Sequence, residues 1–264
     1  MAKEWALVTG ASGGLGEALA RALASRSYDL VLTARREDAL NALAAELQAQ
    51  HGAQVVVEPS DLSSVGSAAV LCERIAARSI QPNMLVNNAA FGISGPFVEN
   101  EPDQLREMLQ LDVVSFTELT LLIGRQMAAR GSGKILLVGS VGAYSPTPLM
   151  GAYAAAKAYV LSLGEALHVE LAPKVGVTVL SPGMMDTGFG AVSGLEIPDG
   201  MRRTVLSTGK VAQIGLDALF SGKSSVIAGR FNRISTSIGS LFSRHTRAKL
   251  SYRIFQSAIK RGNG

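Results

Sequence analysis

Trp5-Ala6-Leu7-Val8 leads into Thr9-Gly10-Ala11-Ser12-Gly13-Gly14-Leu15-Gly16, an apolar strand running into a glycine-rich turn. An Ala/Leu-rich helix is expected to follow over residues 17–25. Gly10 permits a tight turn, Gly14 lets the backbone approach a diphosphate, and Gly16 lets the helix pack close to a sheet. Ser12, Gly13 and Leu15 complete the turn. The unpaired N–H groups of the first helical turn, at the positive end of the macrodipole, suit an anion. The spacing is G-x-x-x-G-x-G, not the commoner dinucleotide-binding G-x-G-x-x-G.

Outward from this turn, strand-like and helix-like segments alternate. Besides the first, strands are expected at 30–33, 54–58, 84–87, 134–138, 176–180 and 225–228. Such alternation predicts an α/β fold, a doubly wound parallel sheet of about seven strands with helices on both faces. Ser63 reads as the N-cap of a helix reaching Arg78. Pro102-Asp103 opens a helical region to about Arg130, bent near residues 111–113, and residues 151–171 are strongly helix-like. No repeat or linker divides residues 1–229, so residues 1–264 are expected to form a single domain with a basic extension over 230–264.

With 47% hydrophobic residues the chain can bury a large core, yet no apolar run reaches the roughly 18–20 residues of a membrane-spanning helix. The first strand is expected to begin at once, so no signal peptide is expected. The single cysteine, Cys72, suits a reducing compartment, so a cytoplasmic location is expected, and its helical setting suggests packing. His51, His168 and His245 lack metal-site spacing, and no metal centre is expected. Up to Asp217 there are 16 basic and 21 acidic residues, a net −5; the 9 Lys/Arg beyond it face no acidic residue.

Ligands of such sheets bind beyond the carboxyl ends of the strands. Thr33-Ala34-Arg35-Arg36 follows the second strand. An acidic residue there would bond an adenosine ribose, whereas Ala34 followed by Arg35 and Arg36 favours a 2′-phosphate, hence NADP(H) over NAD(H). Tyr153-Ala154-Ala155-Ala156-Lys157 stacks a phenol and an ammonium at i and i+4 on one helix face. A free phenol titrates near pH ~10, and a cation nearby is expected to lower that by roughly 1–3 units, towards efficient proton transfer. The alanines between them are expected to keep the approach to a cofactor free of bulk. Ser140, 13 residues upstream of Tyr153, closes the fifth strand, from where its hydroxyl can reach the same carbonyl oxygen as the phenol. Tyr144 and Tyr159 are rival phenols without Lys at i+4. Gly222-Lys223-Ser224 lacks the upstream glycine of a phosphate-binding loop, with Asp217 in its place.

In order and spacing these motifs resemble the short-chain dehydrogenase/reductase family over about residues 5–190. The resemblance implies a Rossmann fold and hydride transfer between a nicotinamide cofactor and a ketone or aldehyde/alcohol pair. Ser140, Tyr153 and Lys157 would be catalytic, with Lys157 also on the nicotinamide ribose. Asp61-Leu62 would lie beside the adenine, although Asp61 could equally be a turn residue. Asn87-Asn88-Ala89 would line the ribose, Ala90 replacing the family's glycine. Pro182, Gly183 and Thr187 would border the nicotinamide. Asp112 stands where the family usually has Asn. It keeps the backbone carbonyl that holds a water beside the lysine, its carboxylate could also hold Lys157 charged, and a helix-kink role is equally open.

The segment 184–203 falls at the family's substrate lid, and its Met184, Met185, Phe189, Leu195, Ile197 and Met201 suggest an apolar cover for a lipophilic or acyl substrate. The expectation is a homo-oligomeric oxidoreductase with a small-molecule substrate and no nucleic-acid partner. A cofactor-bound sensor or scaffold without turnover is the alternative, resting on Ala90 and Asp112. From Arg247 onward, Leu250, Ile254, Phe255, Ala258 and Ile259 fall on one side of a helix, and Lys249, Arg253 and Lys260 on the other. This stripe either packs on the body or a second subunit, the simpler account, or makes peripheral contact with anionic lipid.

Overall fold

Both faces of the sheet are covered, so its strands read as apolar runs, with successive side chains entering two different cores. The structure is a computed structural model that describes residues 4–185, 188–194, 202 and 204–258. Among them are seven strands: β1 (Trp5–Thr9), β2 (Asp29–Thr33), β3 (Val55–Val57), β4 (Met84–Asn87), β5 (Gly133–Val138), β6 (Val175–Ser181) and β7 (Ser225–Ile227). All pair in parallel in the order β3-β2-β1-β4-β5-β6-β7. Ala6, Val8, Leu30, Leu32, Val86 and Leu136 enter one core. That core is completed by α1 (Gly14–Ala24), α2 (Glu37–His51) and α8 (Thr208–Phe220). Leu7, Val31, Leu85, Ile135 and Val177 enter the other. There they meet α3 (Ser67–Ala77), α5 (Phe116–Arg130) and α6 (Gly151–Glu170). The doubly wound sheet is therefore present with seven strands, and its direction of growth reverses between β1 and β4, where a crevice opens at the strand ends.

Several local expectations are corrected. Helix α1 starts at Gly14 rather than residue 17, with no side chain capping it. Ser63 does not cap α3, whose N-cap is Gly66. Ser63 instead donates its N–H and its hydroxyl to Asp61 Oδ1, at 3.0 and 2.7 Å, closing the turn after β3. The bend in the long helical region is a π-helical turn, Gln110–Ser115, between α4 (Pro102–Leu109) and α5. Such turns widen a helix by one residue and re-aim its side chains. The chain closes with α7 (Gly188–Ser193), α9 (Arg230–Gly239) and α10 (Arg244–Ala258). The expected packing of α10 on the body is only partly realised. Phe255 is half-buried, but Leu250 and Ile254 are 59% and 39% exposed. Ile259 and Lys260 lie outside the described residues, as does the side chain of Ala258. Cys72 is buried in the second core, and burial pushes its thiol up to about 11, consistent with packing.

The glycine turn is sterically committed. A Cβ on Gly16 would stand 2.2 Å from the Gly10 carbonyl oxygen and 2.7 Å from Asn88 Nδ2. Gly16→Ala is therefore expected to cost about 1–3 kcal/mol and lower Tm by roughly 2–10 °C, as an overpacked core position does. Gly209→Ala, in α8 where an added Cβ meets nothing within 4 Å, is the control and should hold Tm or raise it slightly, as Gly→Ala in a helix does. Thermal melts of the two variants check this, and equal melting temperatures would show that the turn tolerates the methyl.

Candidate active site

Thr9 and Asn88 fasten the end of β1 to the end of β4. Thr9 Oγ1 accepts from the N–H groups of Asn88 and Ala89, both at 2.8 Å, and Asn88 Nδ2 donates to the Thr9 carbonyl at 2.9 Å. Gly10 and Gly14 then turn the chain with φ of +65° and +58°. Here a cavity of about 680 Å³ opens, lined by Gly10, Ser12, Gly13, Gly14 and Leu15 of the turn. The uncapped first turn of α1 borders it, which is the cradle a diphosphate requires. Gly16 is not in the lining; it packs against Gly10, as its expected role demands. Asp61, Leu62, Asn88, Ala89, Ala90, Pro182 and Gly183 do line the cavity. Asn87 does not, contrary to its expected place on the ribose. It is buried, and Nδ2 donates to Phe116 O at 2.9 Å and Thr120 Oγ1 at 3.1 Å, anchoring α5. Thr187 lies outside the described residues.

The two arginines after β2 part company. Arg36 donates to the Ser12 carbonyl at 2.7 Å and so braces the glycine turn. Arg35 is exposed, lines the same end of the cavity, and makes no side-chain hydrogen bond or ion pair among the described residues. These residues fit a dinucleotide.

At the other end the expected polar residues converge. Ser140 follows β5 and caps a single 3₁₀ turn, Val141–Tyr144, its Oγ accepting from Gly142 N–H at 3.1 Å. With that lone pair used, its own proton is free to donate into the cavity. Tyr153 and Lys157 project from α6 into the lining. Lys157 is 1% exposed; its Nζ donates to Val138 O at 3.4 Å and lies 3.4 Å from Asp112 Oδ2 and 5.6 Å from the Tyr153 ring centroid. Of the intervening alanines only Ala154 faces the cavity; Ala156 is in the core and Ala155 is exposed. The rivals are engaged elsewhere. Tyr144 OH is 3.5 Å from Ser181 Oγ, and Tyr159 OH is 2.9 Å from Thr117 Oγ1.

Asp112 sits behind Lys157 in the π-helical turn and is fully buried. Oδ1 accepts from Phe91 N–H at 3.1 Å, while Oδ2 has the ammonium nearby but no well-directed hydrogen bond. Burial pushes this carboxyl up to about 6 against the opposing pull of Lys157 and the Phe91 N–H. The Tyr153 phenol is also pushed up, first by burial and then by the Asp112 charge, with Ser140 opposing. The expected downward shift from Lys157 is thus overturned within the chain alone. Asp112 already neutralises much of that cation's field.

Phe189 of α7, one of the expected lid residues, packs on Tyr153 with ring centroids 5.4 Å apart. Sequence reading missed other neighbours. Phe91, Met150 and Phe255 join the lining with Met184 and Met185. Phe91 directly follows the Asn-Asn-Ala-Ala stretch and was legible there. Phe255 arrives from α10, where Arg247 donates to Tyr144 O at 2.8 Å, and no local pattern announces it. Of the lid candidates, Leu195, Ile197 and Met201 fall outside the described residues.

A family model for the short chain dehydrogenases matches residues 4–195. The chain belongs to that family. This short-chain dehydrogenase is 32% identical over 222 residues to a very-long-chain 3-oxoacyl-CoA reductase of Podospora anserina, covering 81% of this chain and 64% of the relative. It is 32% identical over 189 residues to human 17-beta-hydroxysteroid dehydrogenase type 3, covering 70% and 60%. The matches span about a third to two thirds of the length of such curated relatives. A short-chain dehydrogenase from Sphingobium yanoikuyae in complex with NADPH superposes with a TM-score of 0.79 at 28% identity, covering 90% of this chain and 94% of that one. Family membership and the superposition give the chain the Rossmann fold of the short-chain dehydrogenases.

Proposed function

We propose that this chain is an oxidoreductase that uses NADP(H) to interconvert a lipophilic ketone or aldehyde and the corresponding alcohol. The carrying observation is the convergence of Ser140, Tyr153 and Lys157 on one cavity whose far end presents Arg35 and no carboxylate at the 2′-phosphate position. A bound NADP(H) supplies or accepts the hydride. Ser140 donates a hydrogen bond to the substrate oxygen, and Tyr153 gives that oxygen its proton on reduction or takes it on oxidation. Burial and the Asp112 charge hold Tyr153 in its protonated form, the form that donates on reduction. Lys157 holds the cofactor ribose and faces the phenol, while Asp112 positions Lys157. Apolar Phe91, Met150, Met184, Met185, Phe189 and Phe255 cover the substrate end. Long-chain 3-oxoacyl thioesters and steroid-like ketones suit such a lining, and the names of the relatives point the same way. NADPH oxidation measured across a carbonyl panel tests the proposal. Reduction of these bulky apolar carbonyls well above acetone-sized ones is expected, and NADPH binding with no carbonyl reduced would refute it.

Asp112 gives a pH prediction. A carboxylate beside a phenol disfavours phenolate, so Asp112→Asn should lower the Tyr153 pKa. Alcohol oxidation needs phenolate, and its rate in the variant should therefore rise at a pH lower by on the order of one unit. Below about pH 6 the native carboxyl is itself protonated, and the two profiles should converge there. The measurement is kcat for alcohol oxidation against pH. Coincident profiles above pH ~7 would leave Asp112 only a structural anchor for the Phe91 loop.

A further inference from the structure

Helix α9 carries a one-sided apolar face directed away from the body. Phe231, Ile234 and Ile238 recur at i, i+3 and i+7 and are 52%, 53% and 54% exposed. Leu241 and Phe242 extend the exposed apolar run, and α10 adds Leu250 and Ile254 at i and i+4. Around these side chains stand exposed Arg230, Arg233, Arg244, Lys249 and Arg253. Among the described residues none of the five pairs with a carboxylate, whereas Arg21, Arg26 and Arg78 of the body all do. No acidic residue occurs after Asp217.

We propose that the α9–α10 face is a docking surface for an anionic lipid bilayer. Pairing this face with a second copy of itself would set cations against cations, since no acidic residue follows Asp217. Here cations are interleaved with large apolar side chains on segments of low overall hydrophobicity. That is the arrangement of an interfacial helix, with apolar side chains at the acyl boundary and Lys/Arg at the headgroup phosphates. No helix among the described residues is long and apolar enough to cross a membrane, so the contact is peripheral. The inner side of the same unit adjoins the cavity. Asn232 of α9 fills the space beside Gly183, and Phe255 of α10 lines the substrate end. Docking therefore brings the cavity to the source of a lipophilic carbonyl; this last step rests on the proposed function, while the docking itself does not.

Flotation of the full chain with phosphatidylglycerol/phosphatidylcholine vesicles, against pure phosphatidylcholine, tests the surface. The protein should float with the anionic vesicles at low salt, and far less at high salt or with phosphatidylcholine alone. Arg230→Glu with Arg233→Glu, and separately Phe231→Ser with Ile234→Ser and Ile238→Ser, should each reduce the bound fraction at least about tenfold. Both variants should keep the native Tm and the turnover of a small water-soluble ketone. Tyr153→Phe should float like the native protein, which separates failure of the lipid assignment from failure of the catalytic one. Absence of flotation at low salt, or equal flotation of all variants, overturns the proposal. So does a dimer in light scattering that the triple variant dissociates while vesicles capture neither protein, since the face would then join two copies of the chain.

Discussion

Replacing Tyr153 by Phe is expected to lower kcat for carbonyl reduction by about 10²- to 10⁴-fold, with the NADPH dissociation constant nearly unchanged. The substitution deletes one oxygen and keeps the ring, so the packing on Phe189 at 5.4 Å between centroids is retained. What disappears is the proton that Tyr153 would give the substrate oxygen, while Ser140 can still donate a hydrogen bond. Lys157→Ala should differ in kind, weakening cofactor binding as well as turnover, because it would remove the proposed ribose contact and leaves Asp112 buried without its counter-charge. Steady-state kinetics together with NADPH titration by fluorescence separates the two patterns. Near-native turnover in Tyr153→Phe would mean that another group delivers the proton.

Arg35→Ala should weaken NADPH binding by about 10- to 150-fold and leave NADH nearly unaffected, which corresponds to losing a charge-assisted contact of about 1.5–3 kcal/mol. The two neighbouring arginines supply an internal comparison. Arg36 is tied to the Ser12 carbonyl, so Arg36→Ala should loosen the glycine turn and weaken both cofactors alike. Arg35 has no side-chain partner among the described residues and can contribute fully to a 2′-phosphate. Dissociation constants of each variant for NADPH and NADH decide the matter. Equal losses for both cofactors in Arg35→Ala would make that residue structural and remove the argument for NADP(H).

Much of the fold and half of the site follow from local pattern. The seven apolar runs, the turn at residues 9–16 and the i, i+4 stacking of Tyr153 over Lys157 each lie within one element, where periodicity alone sets direction. Ser140 could be placed because a strand end is itself a position. The tertiary structure decided what depends on partners distant in the chain. Asn87 is adjacent to the Asn88 that lines the cavity, yet it turns inward because Phe116 O and Thr120 Oγ1 satisfy its amide. Arg35 and Arg36 are the same residue type one position apart, and only the approach of Ser12 distinguishes them. The phenol shift reversed sign because burial, and a carboxylate 41 residues upstream in the sequence, outweigh the neighbouring cation. Likewise the α10 stripe reads in the sequence as either a packing face or a lipid contact, and only the tertiary structure turns Phe255 into the cavity and leaves Leu250 and Ile254 outward. Spacing fixes which side of an element a residue is on; burial and charge, which fix what it does there, arise only when distant segments meet.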